Sequence, residues 1–264
     1  MSNLLQTRLS ELDGVLDSVQ ATPQVADELF AVVDLLDRQP ALRRALTDPG
    51  ADSGAREGLL QALFGHRLSE AATTVLRAAA GERWGTPSGL AAALERQAVR
   101  AVLSTAQQAG ALDTVEDELF RFERLVAGDA GLRAAIGDRT APLEARRRLV
   151  GDLLTGRADA ATGMLAARAV GARERSFELT VAGYLTLAAA LRQRALAKVV
   201  VARPLTPEQH DRLAAVLSRQ LGREVSLQVV IDPEVIGGVQ VTVGDEIIEG
   251  TVAGRLHDAR RQLA

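Results

Sequence analysis

The residues that could do chemistry are few and scattered. Three histidines, His66, His210 and His257, stand in three separate segments, and none has the H-E-x-x-H spacing or the paired carboxylates of a zinc site or a general acid–base couple. They read as solvated residues on helix faces. Cysteine is absent, which removes thiol nucleophiles, thiolate metal ligands and disulfides together. No G-x-S-x-G places a serine on a nucleophile elbow, and the acidic run "VEDE" at 115–118 has the form of a helix start or a solvated face. No catalytic residue, metal ligand or cofactor is expected. What remains is glycine: the stretch "IDPEVIGGVQVTVGDEIIEGTVAGRLHDARRQL", residues 231–263, carries Gly237, Gly238, Gly244, Gly250 and Gly254. Glycine at that density serves either a phosphate cradle or tight turns, and the choice decides between an enzyme and a binding protein.

The elements around these glycines favour turns. A cradle wants G-x-x-x-x-G-K-[ST] or G-x-G-x-x-G between a strand and a helix; neither occurs, and Gly250 is followed by Thr251 and Val252 with no lysine to reach a phosphate. Val239, Val241 and Val243 alternate with Gln240 and Thr242, the pattern of a strand with one buried face. Gly237 and Gly238 open it, Gly244-Asp245 stands where a hairpin needs positive φ, and Gly250 closes the second arm. Thr251 can cap a last helix showing Val252, Leu256 and Leu263 to the sheet. Upstream, a β-branched run over 198–202 ends before Pro204, Thr206-Pro207-Glu208 starts a helix with Leu213, Val216, Leu217 and Leu221, and "EVSLQVVID" alternates Val225, Leu227, Val229 and Ile231. These elements predict a β-α-β-β-α domain over 196–264.

The rest of the chain repeats itself. Asp27–Phe30 recurs as Asp117–Phe120, Leu42-Arg43 as Leu132-Arg133, Ala55-Arg56 as Ala145-Arg146, Leu63 as Leu153 and Gly81 as Gly171, always 90 residues apart and without a gap. Chance likeness between alanine-rich helices would drift, so the register indicates a duplication. Leu119, Phe122, Leu125 and Val126, and again Leu149, Val150, Leu153 and Leu154, fall at helical spacing. Breaks such as "DRQPA", "WGTPSG" and "GDRTAP" divide each copy into four to six short helices, with Thr140-Ala141-Pro142 expected to start one of them. Aromatic residues make up only 3% of the 264, which suits alanine-rich, close-packed helices. The predicted fold class is α+β, mainly α: tandem helical bundles followed by the small β/α domain.

Charge and hydropathy narrow the function classes. The formal net charge of −3 provides no basic field for nucleic acid. Arg8, Glu11 and Asp13 interrupt the apolar core a signal peptide would need, and "LTVAGYLTLAAAL", residues 179–191, falls short of the roughly 20 residues of a membrane span. A soluble, cytoplasmic chain is expected.

The C-terminal stretch resembles the signature of the delta subunit of the F-type ATP synthase, called OSCP in mitochondria: D-P-x-x-I-G-G, then V-x-x-G-D, then I-D-G-[ST]-V-x-G-[RK]-L. Asp232, Pro233, Ile236, Gly237, Gly238, Gly244, Asp245, Gly250, Thr251, Val252, Gly254, Arg255 and Leu256 match it, with Glu249 in place of an aspartate. "VVVARPLTPEQHDRL" is similar to the family's strand followed by P-L-[ST]-x-x-Q, and "QQAGALDTVEDELFRFERL" through "RRRLVGDLL" to helices of its N-terminal six-helix bundle. Where the first helix of that bundle commonly carries a tyrosine, this chain has Ala98. The resemblance implies a six-helix bundle over 89–195, the β/α domain over 196–264, and an extra divergent copy of the bundle over 1–88, as in lengthened forms of the family from high-GC bacteria. Some of those are fused to a stalk subunit; with no membrane anchor ahead of it, this chain looks unfused.

It further implies a non-catalytic stator subunit, without cofactor. The second bundle would take the N-terminal helix of an α subunit into a groove between its first and fifth helices, near 91–109 and 158–170, with Ala98, Val102, Leu165 and Ala169 as partner-binding residues. The β/α domain would bind the b subunits of the peripheral stalk. The chain would sit among the other F1 subunits at the cytoplasmic face of a bacterial cell membrane, held there only through the complex. An unrelated helical adaptor is the alternative, and only the C-terminal motif separates the two. The extra bundle either binds a second partner helix or packs on its twin and binds nothing.

Overall fold

The computed structural model describes residues 3–48, 50, 53–171, 176–193, 195–221, 225–232, 238–243 and 246–249. The chain divides into two compact units, Met1–Leu16 with Ala21–Arg192, and Asp17–Gln20 with Gln193–Ala264.

The first unit is helical: α1 (Asn3–Ser18), α2 (Pro23–Arg38), α3 (Pro40–Thr47), α4 (Ser53–Phe64), α5 (Glu70–Gly81), α6 (Pro87–Gln108), α7 (Leu112–Gly128), α8 (Ala130–Gly137), α9 (Leu143–Leu154), α10 (Ala160–Ala169) and α11 (Phe177–Gln193). Local chemistry sets many of the ends. Thr22 caps α2 by accepting from the Val25 N–H at 3.3 Å, with Pro23 in the first turn, and Ser69, Asp129 and Asp159 cap α5, α8 and α10 in the same way. Gly110, at φ +72°, turns the chain out of α6 while the Ala111 N–H donates back to the Ala106 carbonyl at 2.8 Å. The start expected at Thr140-Pro142 falls slightly later: Pro142 is itself the N-cap of α9, and the Thr140 hydroxyl donates to Asp138 instead of capping.

The 90-residue register holds in three dimensions. Pro40 and Thr47 bound α3 as Ala130 and Gly137 bound α8; Ser53 and Phe64 bound α4 as Leu143 and Leu154 bound α9; α6 and α11 start at Pro87 and Phe177. Contacts repeat too. Glu28 accepts from the Ser69 N–H at 2.8 Å, and Glu118 accepts from the Asp159 N–H at 2.8 Å. Arg56 donates to the Ala80 carbonyl and Arg146 to the Val170 carbonyl.

One helix belongs to both copies. The register matches the second half of α6 to α1 and its first half to the start of α11, so α6 is the sixth helix of one copy and the first of the next. It packs on α2, α3 and α5 from the first copy and on α7 and α10 from the second. Leu90, Ala91, Leu94, Gln97 and the whole run 98–103 are buried, as a helix enclosed on every side must be. The expected division at 88/89 into two bundles is therefore not a division between packing units: the first copy has five helices of its own and closes with a sixth it shares. Of the apolar positions read as a stripe on α7, Leu119, Phe122 and Val126 are buried but Leu125 is exposed; on α9 only Val150 is buried.

The second unit contains β1 (Ala195–Val201), α12 (Pro207–Leu221), β2 (Val225–Ile231), β3 (Val239–Val243) and β4 (Glu246–Glu249), with sheet order β2-β1-β3-β4. β1 and β2 are parallel, Val199 opposite Val229, joined through α12; β3 runs antiparallel to both β1 and β4. A reciprocal box starts α12: the Gln209 N–H donates to the Thr206 hydroxyl and the Gln209 side chain accepts from the Thr206 N–H. Val199, Val201, Leu217, Val225, Leu227 and Val241 form the core, with Leu213, Val229 and Val239 against it. Val216, expected on that face, points to solvent, and so does Ile231 at the end of β2. The expected last helix, 251–263, lies outside the described residues.

Candidate docking groove and the contact between the copies

Between the second half of α6 and the first half of α10 runs a small groove of about 200 Å³. Val102, Ala106 and Ala109 form one wall, Ala160, Ala161 and Met164 the other. The small residues on α6 are what leave the space open. The α10 wall is fixed at its N-terminus by two devices. Asp159 accepts from the Ala161 N–H at 2.8 Å, and Glu118 on α7 accepts from both the Asp159 N–H and, at 2.6 Å, the Thr162 hydroxyl. Such a groove can seat a large apolar side chain from a partner helix; Thr105 and Asp159 are the polar residues of its lining, and Asp159 is engaged in capping α10.

Of the four residues expected to bind a partner, Val102 lines this groove. Ala98, Leu165 and Ala169 do not line it, each being fully buried in the bundle. Ala98 is inside because α6 at that level is covered by both copies. Among the signature residues, Asp232 donates its N–H to the Val201 carbonyl at 2.9 Å, prolonging the β1–β2 ladder, and Gly238 takes φ +86° immediately before β3, a conformation side chains disfavour. Pro233, Gly237, Gly244, Asp245, Gly250, Gly254 and Arg255 lie outside the described residues.

Sequence reasoning missed the buried charges that join the helices. Arg168 on α10, only 8% exposed, donates to Asp34 on α2 at 2.6 Å and to Glu95 on α6 at 3.2 Å, and its guanidinium stacks over the Phe30 ring 4.7 Å from the centroid. Arg147 on α9 approaches Asp34 at 3.6 Å, and Tyr184 on α11 donates to Glu95. Burial disfavours the Arg168 charge, but Glu95 and Asp34 outweigh it and hold the group above the ordinary arginine range. A cleft of about 550 Å³ beside this contact is lined by these ion-paired side chains. A second cluster ties α1 to α6: buried Asp13 accepts from Arg96, from Gln97 at 2.7 Å and from Arg100 at 2.9 Å. The available signal was polar residues inside the otherwise apolar "LAAALERQAVRAVL".

Among the described residues no three His, Asp or Glu side chains converge as a metal site, and no helix is long and apolar enough to cross a membrane. The family model described as the ATP synthase delta (OSCP) subunit matches residues 94–263. This chain belongs to the delta (OSCP) family. It is 46% identical over 255 residues to the ATP synthase subunit delta of Streptomyces avermitilis, covering 96% of this chain and 93% of that one. The subunit delta of Cutibacterium acnes is 42% identical over 253 residues, 96% of each chain. That of Kineococcus radiotolerans is 42% identical over 270, covering 100% and 98%. These delta subunits align with the first copy as well as the second, so the extra N-terminal segment is common to them and to this chain. The family match begins at residue 94, inside the shared helix α6.

Proposed function

We propose that the chain is a non-catalytic stator subunit of an F-type ATP synthase, linking the α/β head to the b-subunit stalk and resisting the torque of the rotor. The observation that carries this reading is the match over 94–263 to the delta (OSCP) model, supported by relatives of nearly the same length named as subunit delta. The task of such a subunit is affinity and stiffness, and the helical unit is built for both: a shared central helix, buried ion pairs across the copies and an apolar groove at the surface.

In the finer reading, the α6/α10 groove takes the N-terminal helix of an α subunit in a helix-in-groove contact, with one large apolar side chain anchored against Val102, Ala106 and Met164. The β/α unit takes the end of the b subunits, so that the complex sits at the cytoplasmic face of the cell membrane with this chain held peripherally. Calorimetric titration of the full chain with a synthetic peptide of the α-subunit N-terminus tests the groove. Saturable binding that Met164→Glu abolishes without lowering the thermal midpoint supports it; a folded protein that binds no peptide overturns it.

A further inference from the structure

We infer that the second copy carries a further docking surface, a cleft with an apolar floor and a basic rim between α8, α9 and α11, which takes an acidic segment of a partner protein that presents one large apolar side chain. The cleft shares no lining residue with the α6/α10 groove, and the inference does not rest on the docking role proposed for that groove.

The cleft measures about 750 Å³. Val126 of α7, Ile136 of α8, Val170 at the end of α10 and Phe177 at the start of α11 close its floor, and partly exposed Leu143 stands on its wall. Phe177 is fixed by an edge-on contact with Phe122, ring centroids 5.9 Å apart. Arg133, Arg139 and Arg146 surround this floor; the one carboxylate on the described lining is Glu178, whose place in the first turn of α11 suits the helix end. Asp138, close to Arg146, does not line the cleft and is engaged by the Thr140 hydroxyl and N–H. On a chain whose formal net charge is −3, a lining in which cations outnumber carboxylates is a local reversal of sign.

The 90-residue register separates what the bundle needs here from what the second copy has in addition. Arg146 ties helix ends together by donating to the Ile136 and Val170 carbonyls, and Arg56 donates likewise to the Ala80 carbonyl, so that arginine is structural in both copies. Arg133 is different. Its counterpart Arg43 pairs with Asp37 at 3.6 Å, but the counterpart of Asp37 is Ala127, and Arg133 donates to the Ala127 carbonyl instead of a carboxylate. Exposed Arg139 stands where the first copy has Pro49, Leu143 where it has Ser53, Val170 where it has Ala80 and Phe177 where it has Pro87. All of these differences run one way, toward more cation at the rim and more apolar surface within. The first copy builds the same helices without them. A segment with carboxylates set over Arg133 and Arg139 and an apolar side chain against Leu143 satisfies both features together.

Fluorescence anisotropy of the full-length chain with a labelled polyglutamate peptide carrying one central phenylalanine tests the surface. The expected result is saturable binding that weakens as ionic strength rises. The double variant Arg133→Ala with Arg139→Ala, both at exposed positions, weakens it on the order of tenfold. Leu143→Ser, which gives α9 the first residue of α4, also weakens it, and neither variant moves the thermal midpoint. Arg43→Ala, at the matching place in the first copy, leaves the affinity unchanged. Equal binding of a peptide with alanine in place of the phenylalanine, unchanged affinity of the Arg133/Arg139 variant, or no binding by the folded chain overturns the inference. Preference for vesicles of anionic phospholipid over the peptide overturns it too, by showing a membrane surface instead. Each of these outcomes leaves the α6/α10 docking role standing.

Discussion

Arg168 is the residue on which the contact between the copies turns. It bridges Asp34 of the first copy and Glu95 of the shared helix from a buried position. Arg168→Met leaves buried Glu95 without its cation and Asp34 with only the more distant Arg147, and is expected to cost about 3–5 kcal/mol in urea denaturation, whereas Arg168→Met with Glu95→Leu recovers much of the loss, because an apolar pair replaces the buried ionic one at little net cost. Glu28 provides a pH test. Burial alone would raise its pKa, but the Ser69 hydroxyl, the Ser69 N–H and the Gln24 amide together hold it below the ordinary glutamate value. A carboxylate depressed in the folded state contributes stability that is complete above its unfolded pKa and lost as pH falls through its folded one. The deficit of Glu28→Gln in denaturation midpoint should therefore be full at neutral pH and shrink through the acid range. Neither role was legible from the sequence: an arginine in "LAARAV" and a glutamate in "DELF" look like solvated charges until the partner helix is in place.

At the scale of elements, α6 should be the most protected segment. Amide exchange over residues 94–103 is expected to be the slowest of the helical unit and to follow its global unfolding, since no local opening frees a helix packed by both copies. Ala101→Gly, at a buried position, should cost about 1 kcal/mol from helix propensity alone. The helices themselves were well written in the sequence, because caps, prolines and the 90-residue register are local signals: α3 with α8 and α4 with α9 keep the spacing at both ends. The division of labour among them was not. A repeat of 90 residues reads naturally as one bundle after another, and only the packing shows that the sixth helix of one is the first of the next. The same enclosure explains Ala98, which lies inside because α6 is packed by helices of both copies. Val102, nearer the open half, lines the groove.

At the scale of the molecule, the helical unit should behave as one cooperative body. Leu29→Ala and Leu119→Ala occupy the same place in the two copies and are both fully buried. Each is expected to lower a common unfolding transition by about 2–5 kcal/mol, as followed by circular dichroism; two separate transitions would show the copies unfolding apart. Removing residues 1–88 is for the same reason no neutral cut. It strips the covering helices from Leu90, Ala91, Leu94 and Val99 and should give a less soluble, less stable protein. A spring made of two bundles joined by a loop is only as rigid as the loop. Here no loop stands in series: a pull applied to one copy reaches the other along the unbroken hydrogen-bond ladder of α6, 22 residues or about 33 Å of continuous helix, so the added copy is joined to the second without a joint that could yield.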